Sequence, residues 1–401
     1  MKPHQYHSET EAVRGGTDLS KKNGPLATPI YQTSTFEAAT VSDAIDSTKT
    51  DLFYTRYGNP TVSVAEGAIA ESEGADEARL FASGMGAQTT TVMALVKTGD
   101  HIVAQRDIYG GATKFLGEWL PKMGIETTFV DSCDYDQYER AIRPNTRMLY
   151  VESPTNPTLK VVDLKKAAEI AKKHNLITMV DSTFATPINT RPMEFGIDLV
   201  FHSGTKYFGG HSDLIAGAIA GRRDLMLKIH ETRTILGVNM DPHAAWLLLR
   251  GIKTLAVRVQ RQNENALRIA QFLARHSRVR QVHYPFLEGH PQRALAMEQM
   301  RGGGGMMSFE VDGSGEDARH LIESLRLFTL AVSLGGVDSL VTLPRYSSHA
   351  MISEEQRKKM GVSDSLIRVS VGIENAEDLI ADLEQGLAKV GRDVASLVSS
   401  R

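Results

Sequence analysis

Between residues 78 and 221, short apolar runs alternate with amphipathic stretches. "ARLFAS" (78–83), "DHIVAQ" (100–105), "ETTFVDS" (126–132), "TRMLYVES" (146–153), "LITMVDST" (176–183), "GIDLVFHSG" (196–204) and "LIAGAIAG" (214–221) read as strands. "GMGAQTTTVMALVKTG" (84–99), "GGATKFLGEWLPKMG" (110–124) and "DLKKAAEIAKKHN" (163–175) read as helices. The last has apolar residues at helical spacing, and Asp163 stands where an N-cap belongs. Near-continuous apolar strands alternating with helices predict a mostly parallel sheet covered on both faces. Ligands of such sheets sit at the carboxyl ends of the strands. Gly84, Asp181, Ser203 and Lys206 each close or just follow a strand, which places them at one rim.

After about residue 250 the pattern changes. A long helical stretch (241–276) leads to "RQVHYP" (280–285), "GMMSFEVDG" (305–313), a helix "GEDARHLIESLR" (315–326) and a final helix "NAEDLIADLEQGLAKVG" (375–391). This predicts a smaller α+β domain. The first fifty-odd residues hold few helical periods and several Pro and Gly, so they read as an arm lying on something else. No solenoid repeat is visible.

Composition narrows the class. The 401 residues are 41% apolar and 23% charged with a formal net charge of -3, the balance of a soluble globular protein. That charge points to neither a nucleic acid nor a membrane surface. Apolar runs stop well short of a membrane span, and "MKPHQYHSETEAVRGG" lacks the apolar core of a signal peptide. A single cysteine, Cys133, excludes an intramolecular disulfide and a cysteine-rich zinc site. The expectation is a cytoplasmic protein without a metal.

Chemistry enters with "FHSGTKYFGGHSD" (201–213). A lone lysine in a polar turn is usually a surface charge. Here Ser203 and Thr205 flank the Lys206 amine with hydroxyl donors, the segment follows a buried strand, and Asp181 closes another. That set suits pyridoxal phosphate (PLP). The amine bonds the aldehyde, hydroxyls hold the phosphate, and a carboxylate keeps the ring nitrogen protonated. "GMG" (84–86) between strand and helix suits a phosphate at a helix N-terminus. It also half-resembles a dinucleotide fingerprint, but Thr89 stands at the third glycine position. Tyr109 follows a strand and is placed either to stack on a ring or simply to meet water. "RGGGGMM" (301–307) lacks the Gly-Lys-Ser/Thr ending of a phosphate loop.

"DLVFHSGTKYFGGHSD" closely resembles the lysine signature of the Cys/Met-metabolism PLP-dependent enzymes, the cystathionine γ-synthase and γ-lyase group of fold-type I. The likeness extends over nearly the whole chain, through "YTRYGNPT" (54–61), "FASGMGA", "YGG", "ESPTNPTLKVVD" (152–163), "VDSTFATP", "LLLRGIKTLAVR", "SLGGVDSL" (333–340) and "IRVSVGIEN" (367–375). The resemblance implies a fold-type I α/β architecture. Its parts would be an N-terminal arm (1–58) reaching the neighbouring subunit's site, a PLP-binding large domain (59–252) and a small C-terminal domain (253–401). It implies Lys206 as the cofactor-bonding lysine and general base, and Asp181 as partner of the ring nitrogen. Ser203, Thr205, Gly84 and Met85 would hold the phosphate, completed by Tyr54 and Arg56 of the adjacent subunit. Tyr109 would stack on the ring and assist proton transfer, and Asn156 would bond the ring 3-hydroxyl. Ser333 and Arg368 would take the substrate carboxylate, for which a guanidinium fork is suited. A homotetramer built as a dimer of dimers follows, with a small sulfur amino acid as substrate.

Departures from the family pattern bear on substrate. Phe53 stands where cystathionine-handling members often carry an acid, as in methionine γ-lyases. Gly111 stands where those methionine lyases have a cysteine, and Asp338 supplies an acid where cystathionine γ-lyases often have Glu. "PRYSSHA" (344–350) departs from the usual "PAxMTHA", bringing Arg345 and Tyr346 toward the substrate entrance or simply varying a surface loop. The reading favours γ-elimination as in cystathionine γ-lyase. Methionine γ-lyase and the γ-replacement of cystathionine γ-synthase remain alternatives, and an NAD-dependent dehydrogenase is a remote one that leaves Lys206 and Asp181 unexplained.

Overall fold

A computed structural model describes residues 6–17, 24–347, 355, 357 and 361–391. The chain divides into two compact units, Met1–Ser153 with Val162–Val257, and Pro154–Val161 with Arg258–Arg401.

The first unit is built on seven strands. They are β1 (Glu77–Phe81), β2 (His101–Gln105), β3 (Glu126–Val130), β4 (Thr146–Glu152), β5 (Ile177–Asp181), β6 (Leu199–His202) and β7 (Gly217–Gly221), in the order β1-β7-β6-β5-β4-β2-β3. The five strands β3, β2, β4, β5 and β6 run parallel, and β7 is antiparallel to both β6 and β1. Strands β2, β6 and β7 are buried along their whole length, as a sheet covered on both faces requires. One face packs Phe81, Tyr150, Met179, Phe201 and Ile219 against Ala87 and Val92 of the Gly84–Leu95 helix and Met226 and Ile229 of the Arg223–Leu236 helix. The Leu164–Lys173 helix begins as expected: Asp163 Oδ1 accepts from Lys166 N at 2.9 Å, and Ala167 and Ala171 face inward.

Three expectations are corrected. The stretch 110–124 is not one regular helix but an α-helical turn (Gly110–Lys114), a π-helical turn (Phe115–Trp119) and a 3-10 turn (Leu120–Met123), closed by Gly124 with φ of 72°. Pro121 has no N–H for an α-helical ladder. The stretch 241–276 is two helices, Pro242–Ile252 and Leu255–Leu273, parted at Lys253 and Thr254. The N-terminal region is less irregular than its composition suggested: it carries short helices at Ser8–Arg14 and Val41–Ser47.

The second unit has a five-stranded sheet from β8 (Val279–His283), β9 (Met306–Val311), β10 (Thr329–Leu330), β11 (Leu340–Thr342) and β12 (Leu366–Ser370), in the order β10-β11-β12-β9-β8. It is antiparallel except for β10 with β11. Met307, Phe309, Ile367 and Val369 pack against Leu321 of the Gly315–Ser324 helix and Leu379 and Leu383 of the Ala376–Leu387 helix. The first unit is thus an α/β arrangement and the second an α+β one.

Candidate active site

In the first unit the ends of β5 and β6 carry the predicted chemistry. The two strands run in register, Asp181 opposite Phe201, so the residues that follow leave the sheet side by side. Asp181 is buried. Thr183 N–H donates to Asp181 Oδ1 at 2.9 Å, and Ser203 N–H donates to Thr183 Oγ1 at 2.9 Å. Lys206 N–H then donates to Ser203 O at 3.1 Å, which winds the lysine into a turn directly after β6. Thr205 Oγ1 accepts from Ala216 N–H at 3.0 Å, tying the same turn to the start of β7.

Burial raises the Asp181 pKa, because a carboxylate loses its hydration there. The hydroxyl and amide of Thr183 and the field of His202 pull it down, and no lysine or arginine is among those influences. A buried acid held by one threonine is suited to a cationic ligand group such as a protonated ring nitrogen. Behind the turn, His202 Nε2 meets Glu73 Oε1 at 2.5 Å with both side chains out of water.

The predicted phosphate cradle is adjacent. Ser83 caps the Gly84–Leu95 helix by accepting from Gly86 N–H at 3.0 Å, and the Gly84 and Met85 amides lie in that first turn. A Cβ built on Gly84 would stand 3.2 Å from Ser203 Oγ, so the glycine and the serine hydroxyl face each other closely. Helix N-terminus, hydroxyls and buried carboxylate together fit a phosphorylated pyridine. Tyr109 N–H is held by Glu152 Oε2 at 2.8 Å, and its ring is 45% exposed. A Cβ at position 111 would lie 2.5 Å from Tyr109 Cε1 and 3.1 Å from Met85 Sδ, so the tyrosine ring occupies the space of a side chain there. The structure thus groups Asp181, Ser203, Thr205, Lys206 and Gly84, with Met85 beside Tyr109. Tyr54 and Arg56 group with each other: the Arg56 guanidinium lies 5.5 Å from the Tyr54 ring and 4.7 Å from the Tyr57 ring, and donates to Thr234 O at 2.7 Å.

In the second unit Arg368 is buried in β12. It donates to Asn156 Oδ1 and to Ser333 O, each at 3.2 Å, which brings together three residues far apart in sequence. Ser333 has φ of 85°, an unusual backbone for a residue with a side chain. Ser308, paired with Arg368 across β9 and β12, donates to Pro157 O at 2.7 Å and so pins the segment that carries Asn156. Asp338 is exposed, beside Ser339, whose amide and hydroxyl bind Glu374 at 2.7 and 2.9 Å. Arg345 is not a free entrance charge: it pairs with Asp364 at 2.6 Å and lies 4.7 Å over the Tyr346 ring. Residues 348–350 of that segment lie outside the described residues. In the first unit, Phe53 packs on Tyr57 with ring centroids 5.6 Å apart.

The family model for Cys/Met metabolism PLP-dependent enzymes matches residues 9–388. The chain belongs to that family. It is 42% identical over 383 residues to a cystathionine gamma-lyase of Bacillus subtilis (strain 168), covering 95% of this chain and 99% of that one. An L-methionine gamma-lyase of Fusobacterium nucleatum subsp. polymorphum is 40% identical over 97% of this chain and 100% of its own. Among solved structures, metB from Corynebacterium glutamicum superposes with a TM-score of 0.92 at 36% identity, covering 97% of this chain and all of that one. Cystathionine gamma-lyase from Lactobacillus plantarum, complexed with L-serine, gives 0.90 at 37% identity with the same coverage. This Cys/Met-metabolism enzyme is therefore a PLP-dependent carbon–sulfur lyase of fold-type I. The dinucleotide reading of "GMGAQT" falls away.

Sequence reasoning missed Thr183 and the Glu73–His202 pair. Thr183 and His202 stood inside quoted motifs and Glu73 in none, and no spacing announces their partners. Thr183 would have been reachable from one signal, a hydroxyl two residues after a strand-closing acid, the setting of a local side chain to backbone turn.

Proposed function

We propose that this enzyme cleaves the Cγ–S bond of cystathionine by γ-elimination, taking up one water and giving cysteine, ammonia and 2-oxobutanoate. The observation that carries the choice is the packing of Tyr109 over Gly111. With its ring where a Cβ would stand, this site has no room for the cysteine of methionine γ-lyases unless Tyr109 moves. The Bacillus subtilis relative is named for the same reaction. Phe53 keeps methionine γ-lyase as the second reading, because it gives no charge for a distal amino group.

PLP, when bound, supplies the sink for the electrons left at the substrate Cα. The chain supplies the rest. Lys206 would bond the cofactor aldehyde, and its free amine would take the Cα proton of the substrate. Asp181 would keep the ring nitrogen protonated, and Asn156 would bond the ring 3-hydroxyl. Gly84, Met85, Ser203 and Thr205 hold the phosphate. Tyr109 lies against the ring and helps move protons, and Arg368 with Ser333 holds the substrate carboxylate. A protonated lysine amine would be an inert base, so Lys206 would act in its neutral form. We further propose a cytoplasmic homotetramer, a dimer of dimers in which Tyr54 and Arg56 of the arm (residues 1–58) serve the neighbouring subunit's phosphate site, with residues 59–252 as PLP domain and 253–401 as small domain. The packing of the Arg56 guanidinium on the Tyr54 ring, which keeps the two together as joint ligands of one phosphate, supports it.

The test is product analysis on cystathionine, methionine, homocysteine, cysteine and O-acylhomoserines. The highest kcat/KM should fall on cystathionine, with 2-oxobutanoate as the keto acid. Pyruvate would mean β-elimination, and cystathionine made from cysteine and an O-acylhomoserine would mean γ-replacement. For the shared site, mixing Arg56→Ala and Lys206→Ala chains under verified subunit exchange should restore activity. No restoration would sink it.

A further inference from the structure

Tyr109 stands just beyond β2, and the loop that carries it is clamped by side chains. Gln105, the buried last residue of β2, donates from Nε2 to Asp107 O and to Glu152 O, each at 2.9 Å. The Ser132 hydroxyl donates to Asp107 Oδ2 at 2.7 Å. Tyr109 itself is held by its N–H, which donates to Glu152 Oε2 at 2.8 Å. Glu152 is buried and closes β4. Its backbone is fixed in the sheet opposite Asp181 of β5, and the Ser153 N–H donates to Asp181 O at 3.2 Å. A loop amide outside the ladder needs an acceptor, and a carboxylate binds it more strongly than a neutral carbonyl does. On its other side the Tyr109 ring fills the space over Gly111, where a Cβ would lie 2.5 Å from Tyr109 Cε1.

We propose that Glu152 is a positioning residue for Tyr109: its carboxylate fixes the backbone from which the tyrosine ring projects. The inference rests on the proposed role of Tyr109 against the cofactor ring. Glu152 and Asp181 end neighbouring parallel strands in register, so the sheet itself sets their spacing. Through the bond to the Tyr109 amide, that spacing is passed on to the residue that would lie on the ring. The loop between Gln105 and Tyr109 is thereby referred to the strand beside Asp181, rather than left to its own conformation. What Glu152 contributes is an acceptor at one fixed point, so an uncharged side chain with an oxygen in the same place should serve nearly as well.

The test compares wild-type holoenzyme with Glu152→Leu, Glu152→Gln, Tyr109→Ala and the double variant Glu152→Leu/Tyr109→Ala. Three readouts are taken: kcat and KM on the most active substrate, the circular dichroism of the bound cofactor's visible band, and hydrogen exchange over residues 105–112. Glu152→Leu should lower kcat roughly tenfold, the usual size of a lost charge-assisted hydrogen bond, with KM within about twofold. Its visible dichroism should fall, and exchange at 105–112 should quicken. Glu152→Gln, which keeps an acceptor oxygen and drops the charge, should restore all three readouts. If Glu152 acts through the ring, Glu152→Leu should cost no more than about twofold once Tyr109 is already alanine. Should Glu152→Leu fail to fold, Glu152→Ala takes its place with the same expectations. Wild-type kcat and dichroism in Glu152→Leu or Glu152→Ala overturn the proposal. So does a Glu152→Gln as impaired as Glu152→Leu, which would make the charge the working part. Full additivity in the double variant also overturns it, because Glu152 would then act elsewhere. A Tyr109→Ala enzyme with wild-type kcat and dichroism would instead sink the reading of Tyr109 as the residue on the ring.

Discussion

In the first unit the candidate groups stand where strands end; in the second they stand inside a sheet. Asp181 closes β5 and Ser203 follows β6, so the amides of Thr183 and Ser203 have left the ladder and are spent on Asp181 and Thr183. Arg368 lies within β12 with Thr342 on one side and Ser308 on the other, and it reaches Asn156 and Ser333 only through its long side chain. Strand ends offer released backbone groups that can be aimed at a charge. A mid-strand position offers a rigid base but no spare amide, so recognition there needs a side chain that brings its own donors. The first arrangement suits a cofactor whose electronics must be tuned. The second suits gripping a carboxylate that many substrates share.

If that division is right, substitutions in the two places should fail differently. The largest effect after loss of the lysine itself is expected from Asp181→Asn. It should fold and retain PLP, yet lose kcat by about 100- to 1,000-fold, on the order of 3 to 4 kcal/mol of barrier, as for other preorganised charges. Steady-state kinetics on the most active substrate checks this, and near-normal kcat would remove Asp181 from the ring nitrogen. Next comes Arg368→Lys, which keeps charge but loses the planar fork. KM should rise by roughly 10- to 100-fold while kcat changes by no more than a few-fold. A pure kcat defect would erase the distinction between the two groups of residues.

The smallest effect concerns stability. His283, at the end of β8, has its pKa lowered from 6.5 to about 4, first by burial and then by the positive fields of His290 and Lys160. The folded state therefore holds His283 neutral, while the unfolded chain takes up a proton below 6.5. Its contribution is complete above that pH and is lost as the pH falls toward 4. The linkage amounts to on the order of 3 kcal/mol at most. His283→Phe should flatten the fall in urea midpoint between those two pH values. An unchanged slope would show that His283 is already solvated.

The rim of the first sheet was legible because apolar runs stop at the residues that matter. Asp181 is a charge on the last residue of a buried strand and Lys206 one in the turn that follows another, and a charge there asks for a reason. The Asp163 cap was legible for a similar, local cause. Direction was not: "LIAGAIAG" is apolar at nearly every position, and nothing in such a run says that β7 lies antiparallel to β6. The break between Pro242–Ile252 and Leu255–Leu273 was hidden because the helical period continues through it. Gly251 shows what the period could not. A Cβ there would come within 2.4 Å of both the Phe208 and Gly209 carbonyl oxygens, so this helix end presses on the backbone just beyond the lysine turn. Thr183 and Glu73 were silent for the same reason, since their partners lie 20 and 129 residues away. The grip of Arg368 on Ser333 and Asn156 was available only through the family likeness, because no local pattern links positions 156, 333 and 368.

The account turns on one bond. Purified enzyme should show a visible band that borohydride bleaches, and peptide mapping of the reduced protein should find the pyridoxyl label on Lys206. Lys206→Ala should lose turnover and take no label, though it can still hold PLP without a covalent link. A label on any other lysine, or a protein that binds PLP with no reducible link, would contradict the assignment of the turn after β6 as the catalytic centre.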